Sequence, residues 1–322
     1  MLTPKAEAYL EECRQEAVDL LIRLAQIPAP SNQEEKRAVF CREWLEKNGA
    51  QGVYVDEALN VIYPVIKDGE PLEKQQLAVY AAHTDVVFPD LTPLPLTVDG
   101  NLICCPGVGD DTACLTALLI AARFVARELR QGSLKLKNKG VLFVCNSGEE
   151  GLGNLKGSRE ICRAFGKQMK EFITLDGPMD KLVTRAVGSM RYQVEIRTRG
   201  GHSYGDFGQP NAIARMAELI AKLYQIPVPK GAKTTFNVGT ISGGTSVNTI
   251  AQQAQMLYEF RSESRDNLKY MEEQFMELIH QAEDMEDMEV SLTLVGERPC
   301  GGDVEEEAQE ELLDRARRTV QE

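Results

Sequence analysis

Three short runs of apolar residues, 77–82, 141–145 and 172–175, alternate with stretches of helical periodicity, and this alternation restricts the fold more than any other feature. A continuously apolar run such as 77–82 predicts a strand covered on both faces. Helices supply such cover, so the expectation is an α/β domain: a largely parallel sheet with helices on both faces. Helical spacing runs from Glu7 to about Gln26, from about Thr112 to Arg130, and from about Leu155 to Glu171. Ser31 with Glu34 reads as a capping box for a further helix ending near Lys47. Pro64, inside the strand-like run 61–66, marks a sheet edge.

Beyond about residue 180 the pattern changes. Strand-like 190–199, helical 210–224, strand-like 234–241 and 251–261, helical 265–283 and strand-like 288–295 read as βαββαβ. That order is the split-βαβ, ferredoxin-like arrangement of a small α+β domain inserted into the first. The expected division is 1–183, an inserted 184–297, and a return at 298–322 through a last helical stretch.

Composition narrows the partners. With 322 residues and 43% hydrophobic content the chain can bury two cores, and a net charge of −13 argues against nucleic acid or an anionic membrane. The start of the chain shows no basic segment followed by an apolar one, and the most apolar stretch, 113–126, is short and carries Arg123. None of the eight cysteines sits at metal-knuckle spacing, so reduced thiols in the cytoplasm are expected. Gly151-x-Gly153 lacks the third glycine of a dinucleotide loop, and Lys156-Gly157-Ser158 has the wrong order for a phosphate loop.

Ligands of open α/β sheets bind at the carboxyl ends of the strands. There the chain carries His83-Thr84-Asp85, Glu149-Glu150 between two glycines, and Asp176, with Asp110-Asp111 at a helix start. Imidazole with carboxylates suits zinc, or cobalt or manganese. Asp85 is placed to orient the His83 ring. Adjacent side chains of an extended segment diverge, so one of Glu149 and Glu150 can hold what the other acts upon. Asp110 and Asp111 equally suit helix capping, and Asp176 a turn before Gly177-Pro178.

These motifs, followed by Gly201-His202-Ser203 and 243–248 (GGTSVN), resemble in kind and order the M20 family of co-catalytic zinc peptidases and amidohydrolases. The resemblance implies a phosphorylase/hydrolase-like catalytic domain with an inserted lid and dimerisation domain. It also implies that His83, Asp110 and Asp176 bind one metal and that Asp110 and Glu150 bind a second. Glu149 is then the general base, His202 an oxyanion donor, and Asn248 and Arg261 hold polar or carboxylate groups of the substrate. The implied partners are a small peptide, or an N-acyl amino acid in a deacylase, and a second copy in a homodimer, with no nucleic acid and no membrane.

One element of the family pattern is missing. The second metal site normally takes a histidine from near the carboxyl terminus, whereas the three histidines here are His83, His202 and His280, the last on a helix of the smaller domain. The expectation is a catalytic domain incomplete at 298–322, with one metal held well and the second weakly or not at all. A non-catalytic dimerising relative is the reading from another class. The Asp110-Asp111 form of the second motif resembles the tripeptide aminopeptidases, which points to a di- or tripeptide.

Overall fold

The computed structural model describes residues 2–320 apart from 68, 137, 179–180 and 302–304. Two compact units divide the chain: one holds the residues up to Leu182 and those from Glu305 on, and the other begins at Val183.

In the first unit, α1 (Pro4–Ala25) starts one turn before its apolar periodicity because the Thr3 hydroxyl accepts from the Ala6 amide and Pro4 supplies a preset φ. Then come α2 (Glu35–Lys47), β1 (Tyr54–Val55), β2 (Val61–Val65), β3 (Leu77–His83), a hairpin of β4 (Thr97–Asp99) and β5 (Leu102–Cys104), α3 (Ala113–Arg130), β6 (Gly140–Asn146), α4 (Lys156–Phe165) and β7 (Met169–Thr174). The sheet order is β1-β2-β6-β3-β7. Strand β3 runs parallel to β6 and β7, whereas β2 is antiparallel to β6 and β1 to β2. The sheet is therefore mixed, with its parallel part where the long apolar runs lie.

Side-chain alternation divides the core. Phe143 and Cys145 of β6 face α1–α3 with Leu24, Leu45, Leu115 and Leu119, while Leu142 and Val144 face Ile161 and Phe165 of α4. Three sequence expectations need correction. Pro64 is not on an outermost strand, but β1 pairs only with Val61 and Ile62, so the proline occupies a locally unpaired edge. Strand β7 begins at Met169, within the stretch read as helix, because an edge strand half-exposed along its length carries polar Lys170 and Glu171. Helix α2 starts at Glu35 with no side-chain cap, because Ser31 and Glu34 are engaged elsewhere.

Glu171 of β7 receives Lys139, and Arg315 of α7 (Glu306–Val320) at 2.8 Å. Burial works to raise its pKa, but the two cations hold it below the usual carboxylate range. A depressed folded pKa contributes stability that is present above the unfolded value of about 4.3 and is lost as pH falls through the folded one. Glu171→Gln should therefore flatten the fall of Tm below that pH and leave its slope near pH 7 unchanged. An unaltered acid limb would remove this ion-pair set from the acid response.

The second unit is built from β8 (Gly188–Arg197), β9 (Gly201–His202), α5 (Ala212–Leu223), β10 (Thr234–Gly243), β11 (Thr249–Ile250), β12 (Gln253–Ser262), α6 (Arg265–Glu283) and β13 (Glu289–Arg298). Its main sheet is antiparallel throughout, in the order β10-β12-β8-β13, which is the βαββαβ arrangement read from the sequence. Asn211 and Ser264 cap the two helices. Met216, Leu219, Phe275 and Ile279 of those helices close over Val194, Ile196, Tyr258 and Phe260 of the central strands. The first and last strands lie side by side, Ser189 opposite Arg298. Among the described residues of both units, no helix is long and apolar enough to cross a membrane.

Candidate active site

The ends of β3 and β6 and the segment after β7 bring the sequence candidates of the first unit together. Donor atoms of His83, Glu149 and Asp176 all lie within 4.8 Å of one another, as do those of His83, Asp110 and Glu150. His83 is buried and Asp110 is exposed at its edge. These groupings share His83 and include Glu149, so they differ from the partition that the resemblance implies.

The His83 ring is fixed from both sides. Its Nδ1 lies 2.9 Å from the Asp85 carbonyl oxygen, which can only accept, so Nδ1 carries hydrogen and Nε2, 3.0 Å from Asp110 Oδ1, faces the cluster. The Asp85 carboxylate is not the nearest partner of the ring as expected; it stands 3.5 Å away because it is occupied elsewhere. Its Oδ1 accepts from the Glu149 amide and its Oδ2 from the Glu150 amide, each at 2.9 Å, and the Ser31 hydroxyl donates to Oδ2 at 2.7 Å. Asp85 therefore sets the backbone of the acidic pair as well as the histidine.

Asp110 and Asp111 lie in a wide turn before α3, joined by a cis peptide bond, and neither caps that helix. The capping alternative is thus excluded. Asp111 is fully buried, and its Oδ2 accepts from the His83 amide at 2.9 Å. Burial pushes its carboxyl up to about 7, against the pull of the Cys114 thiol and His83.

Charge is crowded here. Burial, with Asp110 and Glu149 close by, raises Glu150 to about 7. Burial would lower His83, yet Asp85, Asp111 and Glu149 push it up to about 10. Burial would raise Asp85 too, but His83, Ser31 and the two amides hold it below the usual range. Such a set of carboxylates around one imidazole is short of positive charge. A divalent cation supplies that charge and accepts these donors, so the residues fit a metal.

Sequence reasoning missed Arg37 altogether and, for Ser31, Glu34 and Asp111, the part they take at the site. Buried Arg37 donates to the Thr84 carbonyl at 2.7 Å, between His83 and Asp85, and also to Leu24 and Ile27. No local pattern announces such contacts, since Ser31 and Arg37 meet partners 54 and 47 positions away. Ser31→Ala should lower stability by about 1–2 kcal/mol through loss of a hydrogen bond to a charged carboxylate. Denaturant titration checks this, and an unchanged midpoint would show the hydroxyl to be dispensable.

The remaining candidates lie in the second unit. His202 on β9 pairs with Thr249 of β11. Its Nδ1 accepts from the Tyr204 and Gly205 amides at 3.2 Å, which leaves Nε2 to carry hydrogen. The Asn248 carbonyl accepts from the Ser203 amide at 3.0 Å, so Asn248 adjoins the His202 loop. Arg261 stands apart: it pairs with Glu259 and lies eight residues along β12 from Gln253, roughly 27 Å at strand rise.

Comparison with known proteins places this geometry. The family model of the peptidase dimerisation domain (M20_dimer) matches residues 184–284, and that of peptidase family M28 matches 60–199. A probable carboxypeptidase of Ajellomyces capsulatus is 26% identical over 265 residues, 72% of this chain and 57% of that protein. Among solved structures, aminopeptidase PepT from Bacillus cereus superposes with a TM-score of 0.67 at 19% identity, covering 95% of this chain and 82% of that one. A dinuclear metal-binding peptidase from the M20 family of Bacillus subtilis gives 0.62 at 17% identity, covering 96% and 81%. The chain spans about half the length of the first curated relatives it matches, 57%, 38% and 56%.

Proposed function

We infer that this chain is a metal-dependent hydrolase of the M20 group of peptidases and amidohydrolases that cleaves an amide bond in a di- or tripeptide. The observation that carries this reading is the convergence of His83, Asp110, Glu149, Glu150 and Asp176 at one end of the sheet, with Glu149 and Glu150 held by a common carboxylate. Likeness to an aminopeptidase supports a peptide substrate.

His83, Asp110 and Asp176 would hold one divalent ion, zinc in the first place, and Asp110 with Glu150 a second. When bound, the metal supplies Lewis acidity that polarises the scissile carbonyl and eases deprotonation of water. Glu149 takes the proton of the attacking water and passes it to the leaving amine, a transfer that a positioned carboxylate can make in both directions. Asp85 keeps Glu149 and Glu150 in place by holding their amides. Proton-bearing Nε2 of His202 is a donor suited to a developing oxyanion, and Asn248 beside it binds a polar group of the substrate, while Arg261, distant along β12, would bind a substrate carboxylate as a contribution from the other protomer of a homodimer. The dimerisation-domain match supports a homodimer.

Chelator-stripped protein, assayed against dipeptides, tripeptides and N-acyl amino acids with and without added zinc, tests the reading. Peptide turnover that returns with metal is the expected result. Turnover of N-acyl amino acids alone would move the substrate class to a deacylase, and metal binding without turnover of any amide would leave a non-catalytic relative.

A further inference from the structure

We propose that Glu34, tied to Lys156, is a positioning residue that sets the backbone carrying Glu149 and Glu150. The proposal rests on the hydrolase reading above for its effect on turnover, and on geometry alone for its effect on the backbone. Glu34 is fully buried just before α2. Its Oε1 accepts from the Asn32 and Gly148 amides, both at 3.0 Å, and its Oε2 receives Lys156 Nζ at 2.7 Å.

Three consecutive amides are thereby held by two buried carboxylates: Gly148 by Glu34, then Glu149 and Glu150 by the two oxygens of Asp85. Bonds of this charge-assisted kind are roughly twice as strong as neutral ones. The two carboxylates reach the segment from different elements, one at the start of α2 and one after β3. Rotation of any of the three peptide planes would break a bond to one of them.

Lys156 closes the arrangement from the other side. Gly148 has φ +61°, and a Cβ there would come within 2.5 Å of Lys156 Cγ, so the lysine stem lies where a side chain at 148 would project. Lys156 thus confines the segment sterically and neutralises Glu34 at once. A buried ion pair contributes little net stability compared with an apolar pair of similar size. Placement of the Gly148 amide is what the pair adds.

Two double variants isolate that placement. Glu34→Gln with Lys156→Met removes both charges and keeps a carbonyl oxygen that can accept from Gly148. Glu34→Leu with Lys156→Met removes the acceptor as well. Amide exchange of the segment 146–152, read by mass spectrometry, should be slow in the wild type and in the first variant. It should speed at least tenfold in the second, with Tm and exchange elsewhere unchanged. In the same comparison, kcat on a turned-over peptide should stay within about threefold of wild type in the first variant. It should fall on the order of 10²-fold in the second at a KM within about twofold, as small misplacement of reacting groups produces.

Fast exchange of the segment in the wild-type protein would overturn the proposal without any variant, even if neither variant folds. So would a folded Leu/Met variant with slow exchange and wild-type kcat. If the wild type shows slow exchange but turns over no amide, the hydrolase reading fails while the brace itself stands.

Discussion

Glu149→Gln is expected to lower kcat by roughly 10²–10⁴-fold, the range that removal of a positioned general base produces. Glutamine keeps the shape and the backbone amide that donates to Asp85, so the acidic segment should stay in place. What disappears is the capacity to take a proton. Metal uptake should persist, because His83, Asp110, Glu150 and Asp176 remain. The informative measurement is kcat beside zinc content in one preparation. Retained turnover would remove Glu149 from the base role. Lost turnover together with lost metal would instead make it a ligand, which its place in a donor group with His83 and Asp176 makes worth testing.

Phe275→Ala should cost the second unit about 3–5 kcal/mol, the usual range for deleting a buried aromatic ring. Phe275 is fully buried on α6, with ring centroids 4.8 Å from Tyr192, 5.2 Å from Tyr258 and 6.1 Å from Phe260. The ring's aromatic neighbours have little room to move into the void, since Tyr258 and Phe260 are themselves strand residues exposed by 1% or less. The sole tryptophan, Trp44, belongs to the core of the first unit. Its fluorescence therefore follows that unit, while near-ultraviolet dichroism sums the tyrosines of both units, so the dichroism component that fluorescence lacks reports the second. Denaturant unfolding should show the dichroism transition moved to lower concentration. A shift worth less than about 1 kcal/mol would mean that the cluster repacks around the loss.

Much of the fold was legible because the signals were local. The run 77–82 is buried on both sides of its sheet, and α6 occupies the stretch read for it. The strand β7 was partly hidden because an edge strand need not be apolar on either face. Ser31 and Glu34 show the converse. Their three-residue spacing matched a cap, yet long-range partners, Asp85 for one and Gly148 with Lys156 for the other, took the same side-chain oxygens. A short polar motif states what hydrogen bonds are available, and tertiary structure decides who receives them. Asp111 was named beside Asp110, but its burial and its acceptance from the His83 amide could not be read from a string of letters in which the two acids look alike.

The pairing of Ser189 with Arg298 has a consequence for how such a chain can be assembled in evolution. The polypeptide enters and leaves the second unit on adjacent strands, about 5 Å apart. A module with neighbouring ends can be spliced into a host loop, or removed from it, with a repair only a few residues long. Such a module can then be exchanged while the edge of the host sheet that carries His83, Glu149 and Glu150 is inherited intact.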